Sequence, residues 1–294
     1  FYLVRRGPGA GTLDSVLAAQ ATAAGAEIRF EDTVRDLPKG GIVAVGPHAA
    51  DVIASGWIFE TDLPDGAWAA LGEAIAPRGY AYLLVHGGRA TLAICIFADF
   101  RRDELYLDCA LKLFQERIGF RMTHERRFGG AGNVRIPETA VRNGLLYVGE
   151  AAGFQDPLWG FGMRSAMRSG SLAAQAWLDG SPVGYDRLWR SELAGGMRAG
   201  VVHRYFYELA RDFGYRRMSR SLARAEDPRS WLRRKYAGGW AEDLLFPLVK
   251  NLVLRPFERP AECSDQLCHC TWCRCVRGIA LPEKAGISPL EEAS

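Results

Sequence analysis

The stretch that most constrains the fold of this chain runs from residue 144 to residue 178. Residues 145–148 are apolar and predict a buried strand, which ends in the pair Gly149-Glu150. A loop rich in glycine and proline follows and leads directly into a helix predicted over 162–178. A plain corner between a strand and a helix does not require three glycines, a proline and two acids in one short loop. The pattern therefore indicates a binding site.

Each part of this loop has a use in holding a flavin dinucleotide. Glu150 can accept hydrogen bonds from ribityl hydroxyl groups. Gly153, Gly160 and Gly162 allow the backbone to approach a flat ring because they carry no Cβ. The amide groups and the dipole at the start of the helix would favour the negative charge of a reduced flavin by about 0.3–2 kcal/mol.

Residues 148–162 have the pattern Val-Gly-Glu-Ala-Ala-Gly-Phe-x-Asp-Pro-x-x-Gly-x-Gly, which resembles the second flavin motif of the geranylgeranyl reductase group. That group belongs to the aromatic-hydroxylase-like flavoprotein superfamily. Residues 3–26 and 42–46 also resemble segments of the group, so the resemblance covers about residues 1–180. It implies FAD as the cofactor and identifies no catalytic residue and no metal ligand. The cofactor-binding residues that it implies are Arg6, Gly46, Gly149, Glu150, Gly153, Asp156, Pro157, Gly160, Gly162 and Met163.

The sequence departs from the pattern of the group in three places. Glu150 stands where the group usually has aspartate, and this longer acid must fold back to reach the same hydroxyl. Residues 79–84 keep the aromatic side chains of the substrate motif but lack its Phe-Pro pair. We expect the G-x-G-x-x-G segment that holds the ADP half of FAD to lie upstream of Phe1 in a longer protein, and this piece alone to be inactive.

Residues 7–12 imitate a dinucleotide fingerprint of their own, because a helix, a strand and two acids are predicted after them. Thr12 stands where the fingerprint needs its third glycine for close packing of helix and strand. Pro8 also removes an amide donor from the loop. We therefore interpret this segment as a glycine-rich connection.

The order of predicted elements indicates an α/β fold: part of a three-layer FAD-binding domain, an inserted antiparallel-sheet substrate domain and a helical C-terminal region. Strands are predicted at 1–4, 27–30 and 41–47, a hairpin at 80–97, and helices at 13–26, 103–117 and after 183. In the helix at 103–117, one apolar face is expected to contain Leu105, Cys109, Leu113 and Phe114. The predicted domains are 1–55 with 138–180 for FAD, 56–137 for the substrate, 181–260 for the helices, and 261–294 for a Cys-rich segment and tail.

The resemblance implies that reduced flavin transfers hydride to an isoprenoid double bond, with a proton added to the other carbon. The expected partners are an isoprenoid or another apolar small molecule and an electron donor, with NADPH and ferredoxin both left open. A flavin-dependent monooxygenase or halogenase on the same scaffold is the alternative.

Seven cysteines are unevenly distributed along the chain. Cys95 and Cys109 lie in apolar surroundings and are expected in the core, whereas the other five crowd between Cys263 and Cys275. A disulfide scaffold would spread its cysteines through the fold, so this distribution favours a reducing cytoplasm. A metal-binding or redox-sensing module built on the cluster is an alternative from another class of function.

Charge and hydropathy narrow the choice of partners. The net charge of +3 argues against a dedicated nucleic-acid binder. The longest apolar run, residues 92–98, is far shorter than the roughly 20 residues of a membrane span. Residues 216–235 carry eight basic side chains against two acids, and an apolar stretch over 244–257 follows. This pattern favours either a solvated helical face or a peripheral contact with an anionic membrane.

Overall fold

The computed structural model describes residues 3–32, 34, 40–47 and 50–254, without the side chains of residues 234–237. The chain divides into two compact units, residues 1–39 and 40–294. The first contains helix α1, Leu13–Ala23, whose N-cap Thr12 accepts a hydrogen bond from the Ser15 amide at 3.2 Å. The helix predicted to begin near Thr12 is thus confirmed.

The described residues of the first unit show neither of the two strands predicted there. Leu3, Val4 and residues 27–30 have no strand conformation, while Phe1 and Tyr2 lie outside the described residues. A β-strand needs a neighbour to satisfy its backbone groups. Among the described residues of 1–39 no strand offers such an edge.

A small sheet in the second unit joins distant parts of the chain. Strand β1, Gly41–Val43, pairs in parallel with β8, Leu145–Tyr147, and β7, Val141–Arg142, pairs with β8 in the antiparallel direction. The strand predicted before Gly149 is confirmed, whereas the one predicted over 41–47 is only three residues long.

The larger sheet has five antiparallel strands in the order β3-β4-β5-β2-β6. Their bounds are Val52–Glu60 (β2), Gly66–Ala70 (β3), Tyr80–His86 (β4), Arg89–Ile96 (β5) and Thr123–Gly132 (β6). The predicted hairpin corresponds to β4 and β5 and is confirmed. One face of this sheet packs against helix α2, Asp103–Ile118, which buries Leu107 and Phe114 against Leu83, Leu92 and Ile94.

Helix α2 is where it was predicted, but its buried face is only partly the expected one. Leu105 is 54% exposed and Cys109 is also exposed, so the prediction that they belong to the core is wrong. Phe114 of the expected face is buried, together with Asp103, Leu107 and Ala110. The helix carries two apolar stripes at helical spacing, and only contact with the sheet selects between them.

After residue 162 the described chain is mostly helical, as predicted. They are α3 (Met163–Leu178), α4 (Tyr185–Trp189), α5 (Gly195–Ala223), α6 (Pro228–Ala237) and α7 (Trp240–Val253). A π-helical segment, Arg190–Ala194, joins α4 to α5, and α5 is kinked at Arg211, where φ is +43°. The cluster from Cys263 to Cys275 lies outside the described residues.

The mixed α/β fold class is confirmed by these elements. The predicted domain boundaries stay predictions, and strand β2 begins at Val52, before the boundary expected at residue 56. Within the described chain, no helix combines the length and the apolar character that crossing a membrane requires.

Candidate cofactor site

The predicted site begins where the two parallel strands end. The Val148 amide donates to the Val43 carbonyl at 3.0 Å and extends the pairing of β1 with β8. Beyond the strands, Gly46 has φ +83° and Gly149 has φ +54°, so both turn through conformations that favour glycine. Gly46 and the Gly149-Glu150 pair thus follow the carboxyl ends of neighbouring parallel strands. Ligands of open α/β sheets bind at such ends.

The turn at Gly149 is fixed against helix α3. Its amide donates to the hydroxyl oxygen of Ser169 at 2.9 Å, and Ser169 is fully buried. A Cβ at Gly149 would lie 3.1 Å from Cβ of Ala166. Ser169 was not among the predicted residues, because one serine in a helix carries no signal in the sequence.

The Glu150 side chain is half-buried and turns toward the start of α3. Burial raises the pKa of its carboxyl group above the usual value. Its Oε1 accepts a hydrogen bond from Nε2 of Gln155 at 2.8 Å. A Cβ at Gly162 would lie 3.1 Å from the same oxygen. The glycine therefore leaves room for the longer acid.

Gln155 connects the two ends of what we call the Asp-Pro loop, residues 153–162. It is 5% exposed, and its Nε2 also donates to the Gly160 carbonyl at 2.8 Å. Its Oε1 is buried and has no hydrogen-bond partner among the described residues. Leaving a buried acceptor unpaired costs about 1–3 kcal/mol. This oxygen is enclosed beside Gly132, where a Cβ would lie 2.3 Å from it, so the amide of Gln155 holds the loop together through Nε2.

The carboxylate of Asp156 shapes the loop from within. It accepts the Trp159 amide at 2.9 Å and the Leu158 amide at 3.3 Å. The Asp156 amide donates to the Phe161 carbonyl, and the Gly160 amide donates to the Asp156 carbonyl, both at 2.9 Å. These bonds make the loop a closed turn, and Pro157 fixes its backbone at the second position.

Glycine is needed at position 153 because the backbone there lies very close to Arg135. The φ of Gly153 is +86°, and a Cβ there would lie 2.4 Å from Cβ of Arg135. Arg135 donates its amide to the Gly153 carbonyl at 3.0 Å, and its guanidinium lies 3.2 Å from the Asp51 carboxylate. Burial raises the pKa of Asp51, against the opposing effect of Arg135. The loop is thereby tied to the strand ends of the larger sheet.

Helix α3 begins at the end of this loop without a side-chain cap, because its N-cap is Gly162. Gly160, with φ +76°, makes the last turn before it. Phe161 and Met163 are 44% and 43% exposed. The start of α3 thus combines a positive helix dipole with accessible apolar side chains, which suits a flat ligand that carries negative charge.

Arg6 lies in the first unit and is described there by itself. Its Nε lies 2.7 Å from Oδ2 of Asp14, and this ion pair lowers the pKa of the Asp14 carboxyl. The Thr12 hydroxyl donates to the Gly7 carbonyl at 2.5 Å. The residue that interrupts the apparent fingerprint thus closes the glycine-rich turn and caps α1.

The structure brings together eight of the ten predicted residues in the loop and its flanks, from Gly149 to Met163. Gly46 follows the neighbouring strand, and Arg6 belongs to the first unit. No grouping of histidine, cysteine and acidic residues in the described part of the chain could hold a metal ion.

The curated relatives agree with the resemblance of the sequence. A digeranylgeranylglycerophospholipid reductase of Methanosphaerula palustris is 28% identical over 201 residues, which are 64% of this chain and 49% of that protein. One of Methanoculleus marisnigri is 32% identical over 155 residues, which are 47% of this chain and 38% of that protein. The chain is thus similar in sequence to curated reductases of this name. It spans about half the length of these reductases, or less, and no model of a protein family matches it.

A solved structure shows a fold that the chain shares. A flavin-dependent brominase aligns with a TM-score of 0.55 at 17% identity, over 82% of this chain and 74% of the brominase. This likeness concerns the fold alone. The resemblance to the reductase group is confirmed, and the expected upstream G-x-G-x-x-G segment stays a prediction.

Proposed function

We propose that the whole protein is an FAD-dependent oxidoreductase and that residues 149–163 hold the flavin. The observation that carries the proposal is the half-buried Glu150 carboxylate, held against Gly162 at the uncapped start of α3. The flavin ring and ribityl chain of FAD offer N–H and O–H donors for acceptors of this kind. When bound, the reduced flavin supplies a hydride from N5.

The chain's own residues have three tasks in this proposal. Glu150 presents a carboxylate acceptor for the polar groups of the cofactor, and Gln155 holds that carboxylate in place. Gly162 keeps the start of α3 accessible, and the helix dipole stabilises negative charge there. The internal bonds of Asp156 hold the loop in one shape before the cofactor arrives, which lowers the entropic cost of binding.

We further propose an isoprenoid double bond as the group that is reduced. The curated relatives carry the name digeranylgeranylglycerophospholipid reductase. On β4, the half-buried Tyr80 and Tyr82 alternate with core residues and lie on the face opposite α2. The Tyr80 hydroxyl donates to the Trp159 carbonyl at 2.8 Å, which links this aromatic face to the Asp-Pro loop. An apolar face beside the flavin suits an apolar substrate.

The test uses the full-length protein, purified and titrated with FAD while flavin fluorescence is followed. Saturable 1:1 binding and yellow colour are expected. A full-length protein that cannot be reconstituted with FAD would refute the proposal. The reduced protein is then mixed with a geranylgeranyl lipid without oxygen, and reoxidation of the flavin is expected. NADPH and ferredoxin, supplied separately, identify the electron donor.

Because the fold is shared with a flavin-dependent brominase, the same experiment also tests the alternative of a flavin-dependent monooxygenase or halogenase. A monooxygenase or halogenase would leave the lipid unchanged under anaerobic conditions. It would reoxidise its flavin with oxygen and transform a small aromatic substrate, with halide for the halogenase. Lipid reduction without oxygen therefore separates the reductase from both alternatives.

A peripheral membrane contact is the second part of the proposal. On α7, Trp240, Leu244 and Leu248 lie four residues apart and are 81%, 64% and 70% exposed. An aligned apolar stripe of this kind, in a region rich in arginine, suits the interface of an anionic membrane.

Sedimentation with anionic vesicles at low and high salt tests this contact. Wild type is expected to bind at low salt, because each basic residue near anionic lipid contributes about 1 kcal/mol. Neutralising Arg216, Arg217 and Arg220 should weaken the salt-sensitive part of vesicle binding. The double variant Leu244→Glu and Leu248→Glu should weaken vesicle binding at both salt concentrations. Wild type that stays in solution at low salt would refute the membrane contact and leave the flavin proposal intact.

A further inference from the structure

We propose that Arg204 is a positioning residue that holds the Asp-Pro loop in its flavin-binding shape from the rear. The inference rests on the proposed flavin function of that loop. It assigns helix α5, which no sequence motif connects with the cofactor, a direct part in cofactor affinity.

Arg204 is 1% exposed, so every polar atom of its guanidinium needs a partner inside the protein. Its Nη1 donates to the Leu158 carbonyl at 2.6 Å, and its Nη2 donates to the Arg78 carbonyl. Its Nε donates to Oε1 of Glu208, one turn further along α5, at 2.9 Å. Three segments thus meet at one side chain: α5, the Asp-Pro loop and the connection that precedes β4.

The guanidinium group is also packed on an aromatic ring. Its central carbon lies 3.5 Å from the centre of the Phe97 ring, at the end of β5. Burial lowers the pKa of Arg204, while Glu208 opposes that shift. The Glu208 carboxylate in turn accepts from Nη1 of Arg78 at 3.1 Å. Arg204 therefore sits in a fixed polar site rather than at a surface.

Neighbouring turns of α5 contact the same loop. A Cβ at Gly200 would lie 2.8 Å from Cδ of Pro157, so the helix approaches the proline closely at this glycine. Tyr207 packs edge-on against the Trp159 ring at 5.2 Å and donates its hydroxyl to the Gly79 carbonyl at 2.7 Å. One face of α5 thus forms the rear wall of the loop over two turns.

Two successive carbonyls of the loop are held from different sides. Arg204 binds the carbonyl of Leu158, and Tyr80 of the larger sheet binds that of Trp159. A lysine at position 204 would keep the charge but not the planar fork that reaches several acceptors at once. The loop would then lose its hydrogen bond to α5. The start of α3 directly follows the loop and would shift with it.

The experiment compares full-length Arg204→Lys and Arg204→Gln with wild type. FAD dissociation constants are measured by fluorescence titration, the flavin absorption spectrum is recorded, and folding is checked by circular dichroism. Both variants are expected to bind FAD about 10-fold more weakly or worse, because the loop is no longer held in its binding shape before the cofactor arrives. The bound flavin should show a shifted spectrum. Arg187→Gln, at an exposed position on α4, is the matched control.

A second pair of variants covers the case in which Arg204 variants fail to fold. Gly200→Ala adds one methyl group against Pro157, and it should weaken FAD binding while the helix gains propensity. Gly195→Ala is its control, because a Cβ there meets nothing within 4 Å. Folded Arg204 variants with unchanged FAD affinity and an unchanged spectrum would overturn the inference. If the Arg204 variants are unfolded, unchanged FAD affinity in Gly200→Ala would overturn it. Wild type that binds no FAD would refute the proposed function instead.

Discussion

The side-chain nitrogen of Gln155 lies 2.8 Å from the carboxylate of Glu150, across the entrance of the Asp-Pro loop. The same nitrogen reaches the Gly160 carbonyl, so one amide ties the first acid of the motif to its last turn. This relationship explains how glutamate can serve at a position where the group usually has aspartate. The extra methylene group is accommodated because the carboxylate is held back against Gly162.

Gln155→Met should destabilise the protein. Methionine nearly keeps the volume but removes both hydrogen bonds of Nε2, one of them to a charged group. We expect a loss of about 1–3 kcal/mol in the free energy of unfolding, measured with urea. Gln175→Met, at an exposed position on α3, is the control and should change stability little. A variant at position 155 as stable as wild type would show that the bonds of this amide contribute nothing.

Glu150→Gln should change how stability depends on pH. Burial raises the folded-state pKa of Glu150 above its ordinary value of 4.5, so the folded state holds this proton more tightly than the unfolded state. Wild-type stability should then fall, relative to Glu150→Gln, as pH rises from about 4.5 through the raised pKa, and level off above it.

Urea midpoints of the flavin-free protein across this pH range measure the difference. Glu125→Gln, at an exposed position, controls for the loss of one carboxylate. A difference between wild type and Glu150→Gln that is the same at every pH would contradict the effect of burial.

Gly153→Ala should be strongly destabilising. The new Cβ would meet Cβ of Arg135 at 2.4 Å, and the φ of +86° is strained for alanine. Strain and overpacking together should cost about 2–5 kcal/mol. Gly170→Ala in α3 has open space around its Cβ and should gain about 0.5–1 kcal/mol. Thermal unfolding of the two variants should therefore move in opposite directions.

Gly162→Val should lower FAD affinity more than it lowers stability. The Cβ would lie 3.1 Å from Oε1 of Glu150, and the branched side chain would crowd the start of α3. We expect FAD to bind about tenfold more weakly or worse, since the acid and the helix start would both be displaced. Gly170→Val is the control for placing valine in the same helix. Equal FAD affinity in Gly162→Val and wild type would contradict the placement of the flavin.

The strand, loop and helix around Gly149 were predictable because their signals are local. A short apolar run, a Gly-acid ending and a helix start occur within about 30 residues of sequence. The hairpin at 80–97 was predictable for the same reason, since its alternating pattern and its turn are contiguous. In contrast, residues 27–30 have strand-like composition but no strand beside them among the described residues of their unit.

Other features depend on contacts that the sequence does not display. The buried face of α2 was mispredicted because the helix has two apolar stripes, and only the sheet selects between them. Gln155 occupies a variable position of the motif, so nothing in the pattern marks it. Arg204 reaches partners 46 and 126 residues away in the chain, and it is one arginine in an arginine-rich region.

The separation in sequence between the Asp-Pro loop and helix α5 has a consequence for synthesis on the ribosome. Arg204, which donates to the Leu158 carbonyl, is synthesised 46 residues after Leu158. At about 5–20 residues per second, the ribosome needs roughly 2–9 s to reach Arg204. During this interval the nascent chain already contains the Asp-Pro loop but lacks the helix that packs against it. Cofactor capture should therefore be a late event in biogenesis, after α5 has emerged and docked.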